Sequence, residues 1–138
     1  MAHTVRKVDY FSMDAPNRPG TAVRLLAGLK DAKVNLLAFT GFPNGRQAQI
    51  DFIPERSAAL KAAAKRAGIK LHARKTGFLV QGEDKIGAVL AVLSTLAKAK
   101  INVTAIDAAC AGKGRFGAIL WVKQQHVNKA AKALKAKR

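Results

Sequence analysis

The chain has 138 residues, 49% of them hydrophobic, enough for one medium domain or two very small ones. Its 25 basic and 8 acidic residues leave a net charge of +17, which attracts polyanions through a salt-dependent term without specifying a partner. One cysteine, Cys110, excludes an internal disulfide and a thiolate zinc cluster, and no apolar run approaches the roughly 18 residues of a membrane span.

The segment Met1–Lys7 lacks the apolar centre of a secretory signal, so a cytoplasmic protein without membrane contact is expected. Val8, Tyr10 and Ser12 alternate with Asp9, Phe11 and Met13 as in a strand, and Asp14–Gly20 breaks it with two prolines and a glycine. From Thr21 the apolar residues Val23, Leu26 and Leu29 recur at helical spacing, with Lys30, Asp31 and Lys33 at the polar end. Leu36–Phe42 reads as a second strand, Pro43-Asn44-Gly45-Arg46 as a tight hairpin, and Gln47–Ile53 as its partner. A second helix is expected from about Glu55 to Ala67, with Leu60, Ala63 and Ala67 inward, and Gly68 stops it. Ile69–Arg74 completes a β-α-β-β-α-β order.

The chain then repeats itself. Gly20 matches Gly87 at a shift of 67 residues, and Ala22–Leu36 lies over Val89–Val103 with Leu26 on Leu93, Leu29 on Leu96 and Asn35 on Asn102. Two residues added in the second hairpin would change the shift to 69, placing Ile119 on Ile50 and Trp121 on Phe52. The expected fold is therefore α+β: two ferredoxin-like βαββαβ units in tandem, residues 1–75 and 76–138, the second ending with the helix Val127–Lys135 and lacking its last strand. On this reading the edge beside the second unit's first strand is unpaired and needs a partner chain.

Two short βαββαβ units, each with a glycine closing the turn before the first helix and Val-Asn or Ile-Asn opening the second strand, resemble the ACT domain. The segments Asn17-Arg18-Pro19-Gly20 and Val34-Asn35-Leu36 look like the pattern of serine-sensing ACT domains. The resemblance implies a regulatory, non-enzymatic protein that binds an amino acid or related metabolite and acts through a homodimer or larger homo-oligomer. It implies that Asn17, Arg18, Pro19, Gly20 and Asn35 form one site, with Asp84, Gly87 and Asn102 as the counterpart in the second copy. Amide side chains that donate and accept suit a zwitterion, and free N–H groups at a helix start suit its carboxylate. The family's histidine two residues before the turn asparagine is replaced by Ala15, so serine itself is not expected. The alternative is structural: Pro19 and Gly20 shape a turn, and Asn35 satisfies backbone groups where a strand starts.

Gly112–Val122 offers a different reading, because RNA-recognition domains share the βαββαβ plan and carry a basic, then aromatic third strand. At a shift of 69, Trp121 faces the helices, while Phe116, Ala118 and Leu120 form an apolar outer face whose cover is a symmetric partner or the other repeat. Nucleic-acid association remains the rival function, carried by Lys113 and Arg115 on the hairpin and by Lys129, Lys132 and Lys135 on the last helix. A third is an interaction subunit without ligand. His3, His72 and His126 lack metal-ligand spacing, no Walker-type phosphate loop occurs, and the acidic residues form no catalytic pair, so neither cofactor, metal nor enzymatic activity is expected.

Overall fold

The computed structural model describes residues 3–138. It contains two compact units, one of Asp9–Lys75 and the other of the residues up to Val8 together with Thr76–Arg138. The boundary falls inside the first strand, β1 (His3–Pro16), so one strand serves both units.

In the unit of residues 9–75, β1 is followed by α1 (Thr21–Asp31), β2 (Leu36–Asn44), β3 (Gln47–Pro54) and α2 (Ser57–Ala67). The strand order is β2-β3-β1, antiparallel, with Phe11 opposite Phe52 and Met13 opposite Ile50. Strand alternation turns Phe11, Met13, Ile50 and Phe52 to one face, where Leu29 of α1 and Leu60 and Ala63 of α2 close the core. The inward stripe of α1 is carried by Leu25 and Leu29, one turn apart, rather than by the spacing that begins at Val23. Val23 is 70% and Leu26 37% exposed. Ile69–Arg74, expected as a fourth strand, is extended without a regular ladder: His72 N–H donates to the Ser12 carbonyl at 2.8 Å, and Arg74 pairs with Asp9 at 3.0 Å.

The other unit contains β4 (Lys75–Glu83), α3 (Ala88–Lys98), β5 (Val103–Gly112), β6 (Arg115–Val122) and α4 (Val127–Leu134), in the strand order β1-β4-β6-β5. The edge expected to await a partner chain is thus already occupied: the chain's own first residues, His3–Val8, take the place of the missing fourth strand. Val5, 4% exposed, joins the core of this unit. Burial of a valine and closure of the open β4 edge both favour this arrangement.

A second correction concerns the faces of β6. Phe11 pairs with Phe52 in one unit and Phe78 with Leu120 in the other, so the shift after the hairpin is 68, not 69. β5 has 10 residues where β2 has 9, and the extra residue is absorbed by a bulge between Cys110 and Gly112. A one-residue change flips every side chain to the other face. Phe116, Ala118 and Leu120 therefore face the helices, packed with Val92, Leu96, Val127 and Leu134. Trp121 and Ile119 lie on the opposite face and are themselves buried.

Candidate ligand-binding site

The turn between β1 and α1 is built from backbone constraints. Arg18 N–H donates to the Pro16 carbonyl at 3.1 Å, and the buried Thr21 hydroxyl donates to the same carbonyl at 3.0 Å. Gly20 sits at φ +88, in the left-handed region that favours glycine, and Gly87 repeats the conformation at φ +82. Neither α1 nor α3 has a side-chain N-cap or an acidic residue in its first turn. Amide N–H groups of a helix's first turn have no intrahelical acceptor, which leaves each start suited to an anionic group.

Beside the first turn lies a cavity of about 230 Å³. Asn17 and Arg18 form its polar rim, Thr21 and Ala22 its helix side, and Phe39, Phe42 and Ile50 its apolar wall. A cavity of about 290 Å³ lies beside the corresponding turn of the other unit, between Asp84, Lys85, Gly87 and Leu90 on one side and Ala108, Cys110 and Phe116 on the other. The correspondence is positional. Asn17 and Asp84, Arg18 and Lys85, Ala22 and Val89, Gly41 and Ala108 and Pro43 and Cys110 are each 67 residues apart, and Ala48 and Phe116 are 68 apart. Both volumes fall below the roughly 300–1,000 Å³ of drug-sized sites and suit a smaller molecule.

Among the residues singled out in the sequence, Asn17 and Arg18 line the first cavity, with Pro19 and Gly20 in the turn that shapes it. Asn35 is exposed at the opposite end of β2 and donates from Nδ2 to Glu55 Oε2 at 3.3 Å. Asp84 and Gly87 line the second cavity, where Asp84 N–H donates to the Gly114 carbonyl at 2.8 Å; Asn102 is exposed before β5. Arg18 and Lys85 place a cation at each rim, and Lys85 reaches Glu83 at 3.7 Å. Sequence reading missed the walls: Phe39 and Phe42 look like ordinary strand residues until the hairpin folds over α1. Cys110 is exposed at the bulge and lines the second cavity. Phe116, 6% exposed, forms core and cavity wall together, which leaves its ring unavailable for base stacking. The basic residues Lys113, Arg115, Lys129, Lys132 and Lys135 are all exposed.

Two ionisable groups outside the cavities are perturbed. Burial alone pushes the Asp9 carboxyl up, but hydrogen bonds from Ser57 and Arg74 and the charges of Arg74 and Lys61 together hold it below its ordinary value. Burial pushes the Tyr10 hydroxyl up, reinforced by the negative charge of Asp51. Asp51 is 5% exposed and is held by Thr40 Oγ1 at 3.2 Å and Gln49 Nε2 at 3.1 Å. Among the described residues, no group of three or more His, Cys, Asp or Glu side chains is arranged to hold a metal ion, and no helix is long and apolar enough to cross a membrane.

No protein-family model matches the chain, and no curated protein matches it in sequence. Solved structures do match. Protein BT0572 from Bacteroides thetaiotaomicron superposes with a TM-score of 0.79 at 16% identity, over 98% of this chain and 90% of that one. The ligand-free regulatory subunit of aspartate kinase from Thermus thermophilus gives 0.65 at 14% identity, over 98% and 95%. A structure of aspartokinase alpha and beta subunits gives 0.61 at 16%, over 97% and 95%. At such identities the likeness establishes the fold: two ferredoxin-like, ACT-like units in tandem on a βαββαβ-like plan, neither with a regular last strand of its own.

Proposed function

We infer that this is a non-catalytic regulatory protein that binds an amino acid or a closely related small metabolite at the turn before the first helix of its units. The observation that carries this reading is the recurrence of one cavity at equivalent positions of both units, each with a cation on its rim beside an uncapped helix start. A ligand carboxylate suits that helix start and cation, while an amide such as Asn17 suits an ammonium or hydroxyl group. The first cavity is the stronger candidate, because Asp84 in the second sets a carboxylate where the first has Asn17. The fold shared with the regulatory subunit of aspartate kinase supports a regulatory role.

Assembly into a homo-oligomer belongs to the same reading, as does a cytoplasmic location. Its support is the outer surface of the first helices, where Val23 is 70% and Leu90, 67 positions later, 68% exposed. A ligand held next to such an interface favours the assembled form and so couples binding to association. Equilibrium dialysis against a mixture of the twenty amino acids tests the reading: selective retention of one or a few supports it, and retention of none removes it.

A further inference from the structure

In the second unit the two ends of the sequence meet. Lys7 N–H donates to the Lys137 carbonyl at 2.6 Å, and Lys137 N–H donates to the Val5 carbonyl at 2.9 Å, which makes Arg6 and Lys137 a parallel bridge pair. Bridge partners project from the same face with Cβ atoms roughly 5 Å apart, and like charges placed so are destabilising. Lys7 and Arg138 adjoin the pair, and Lys132 and Lys135 follow from the end of α4. From Lys113 to Arg138 every charged side chain is a cation. Among the described residues the ion pairs are Arg74–Asp9 and Lys85–Glu83, with His72 in contact with Asp14, and none reaches this cluster.

A fold that holds two unneutralised cations side by side keeps a local conflict, and such conflicts mark functional places. We propose that this junction, with the Arg6–Lys137 pair at its centre, binds the phosphate backbone of duplex nucleic acid. The occupant follows from what the surface lacks as well as what it holds. Among the described residues the exposed large hydrophobics are Val23, Leu26, Phe42, Ile86 and Leu90, and none belongs to β1, α4 or the segment after it. Among the described residues this surface therefore carries no exposed large apolar side chain to stack a single strand or to wedge into a bilayer. The apolar stripe of α4, Val127, Ala130 and Leu134, is committed to the core. What remains is a concentration of cations around one bridge pair, which suits the closely spaced charges of a duplex without reading its sequence.

The test is fluorescence anisotropy with a mixed-sequence 20-base-pair DNA duplex at 50 and 200 mM salt, beside cosedimentation with phosphatidylserine vesicles. The parent should bind the duplex at low salt and lose affinity steeply at high salt. Arg6→Ala with Lys137→Ala should reduce the slope of log affinity against log salt by about 1 to 2, the share of two phosphate contacts. Lys61→Ala with Lys65→Ala, on α2 of the other unit, should leave it unchanged. Lys137→Glu adds a readout of the junction itself: it replaces a repulsive pair with an attractive one, so its denaturation midpoint should rise while duplex binding falls. No duplex binding by the parent at 50 mM salt overturns the proposal. So do equal losses in the α2 variant, parent-like binding by Lys137→Glu, or stronger binding to vesicles than to the duplex.

Discussion

Leu120 lies directly opposite Phe78 in the ladder between β6 and β4, and both are fully buried. This pair has the same place in its unit as Phe52 and Phe11 in the other, and it fixes the inward face of β6. Phe116, on that face, should behave as a core residue. Phe116→Ala is expected to lower stability by about 3 to 5 kcal/mol, read by urea denaturation, without changing the oligomeric state in sedimentation. Loss of assembly at unchanged stability would return Phe116 to an outer face.

The turn before α1 separates a structural glycine from a binding amide. Gly20→Ala forces a side chain into φ +88 and should cost about 1 to 2 kcal/mol of stability. Asn17→Ala, at an exposed position, should leave stability nearly unchanged but weaken binding of the retained amino acid by about 1 to 3 kcal/mol in calorimetry. Undiminished binding by a folded Asn17 variant would move the site away from this turn.

Asp9 predicts an acid-dependent contribution to stability. Its folded carboxyl lies below the ordinary value of 3.8, so its stabilising effect is complete above that value and fades as pH falls through the folded value. The gap in urea midpoint between the parent and Asp9→Asn should therefore be widest near neutral pH and shrink toward pH 2. A gap that stays constant across that range would mean that the charge of Asp9 plays no part.

The N-terminal strand predicts an edge effect. Removing the first seven residues uncovers β4 and deletes Val5 from the core. The shortened chain should be less stable and should self-associate through the open edge, seen as larger species in sedimentation. An unchanged denaturation midpoint would show that His3–Lys7 is not needed to close the unit.

Assembly through the first helices has its own test. Val23→Glu with Leu90→Glu should shift an oligomer toward monomer in sedimentation while leaving the denaturation midpoint of each unit close to the parent's, since both positions are exposed. A monomeric parent at micromolar concentration would exclude this mode.

The sequence by itself determined the repeat and, apart from the strand expected at Ile69–Arg74, the element order, because these rest on local chemistry. The glycines before α1 and α3 must reach positive φ, and Lys33 and Lys100, 67 residues apart, end those helices at φ 59 and 60. The turn residues Asn17 and Asp84 were legible for the same reason, since a turn is encoded in a few neighbouring residues. The faces of β6 were not, because a single bulge between Cys110 and Gly112 inverts them and its position is set by pairing with β4 and β5. The cavity walls, Phe39 and Phe42 in one unit and Phe116 in the other, depend on how the hairpin folds over the helix start. Only the tertiary structure decided that His3–Val8 supplies the second unit's missing strand and that Arg6 meets Lys137. Both joins link residues far apart in the sequence, where propensity carries no information and the burial of a shared edge selects the partner.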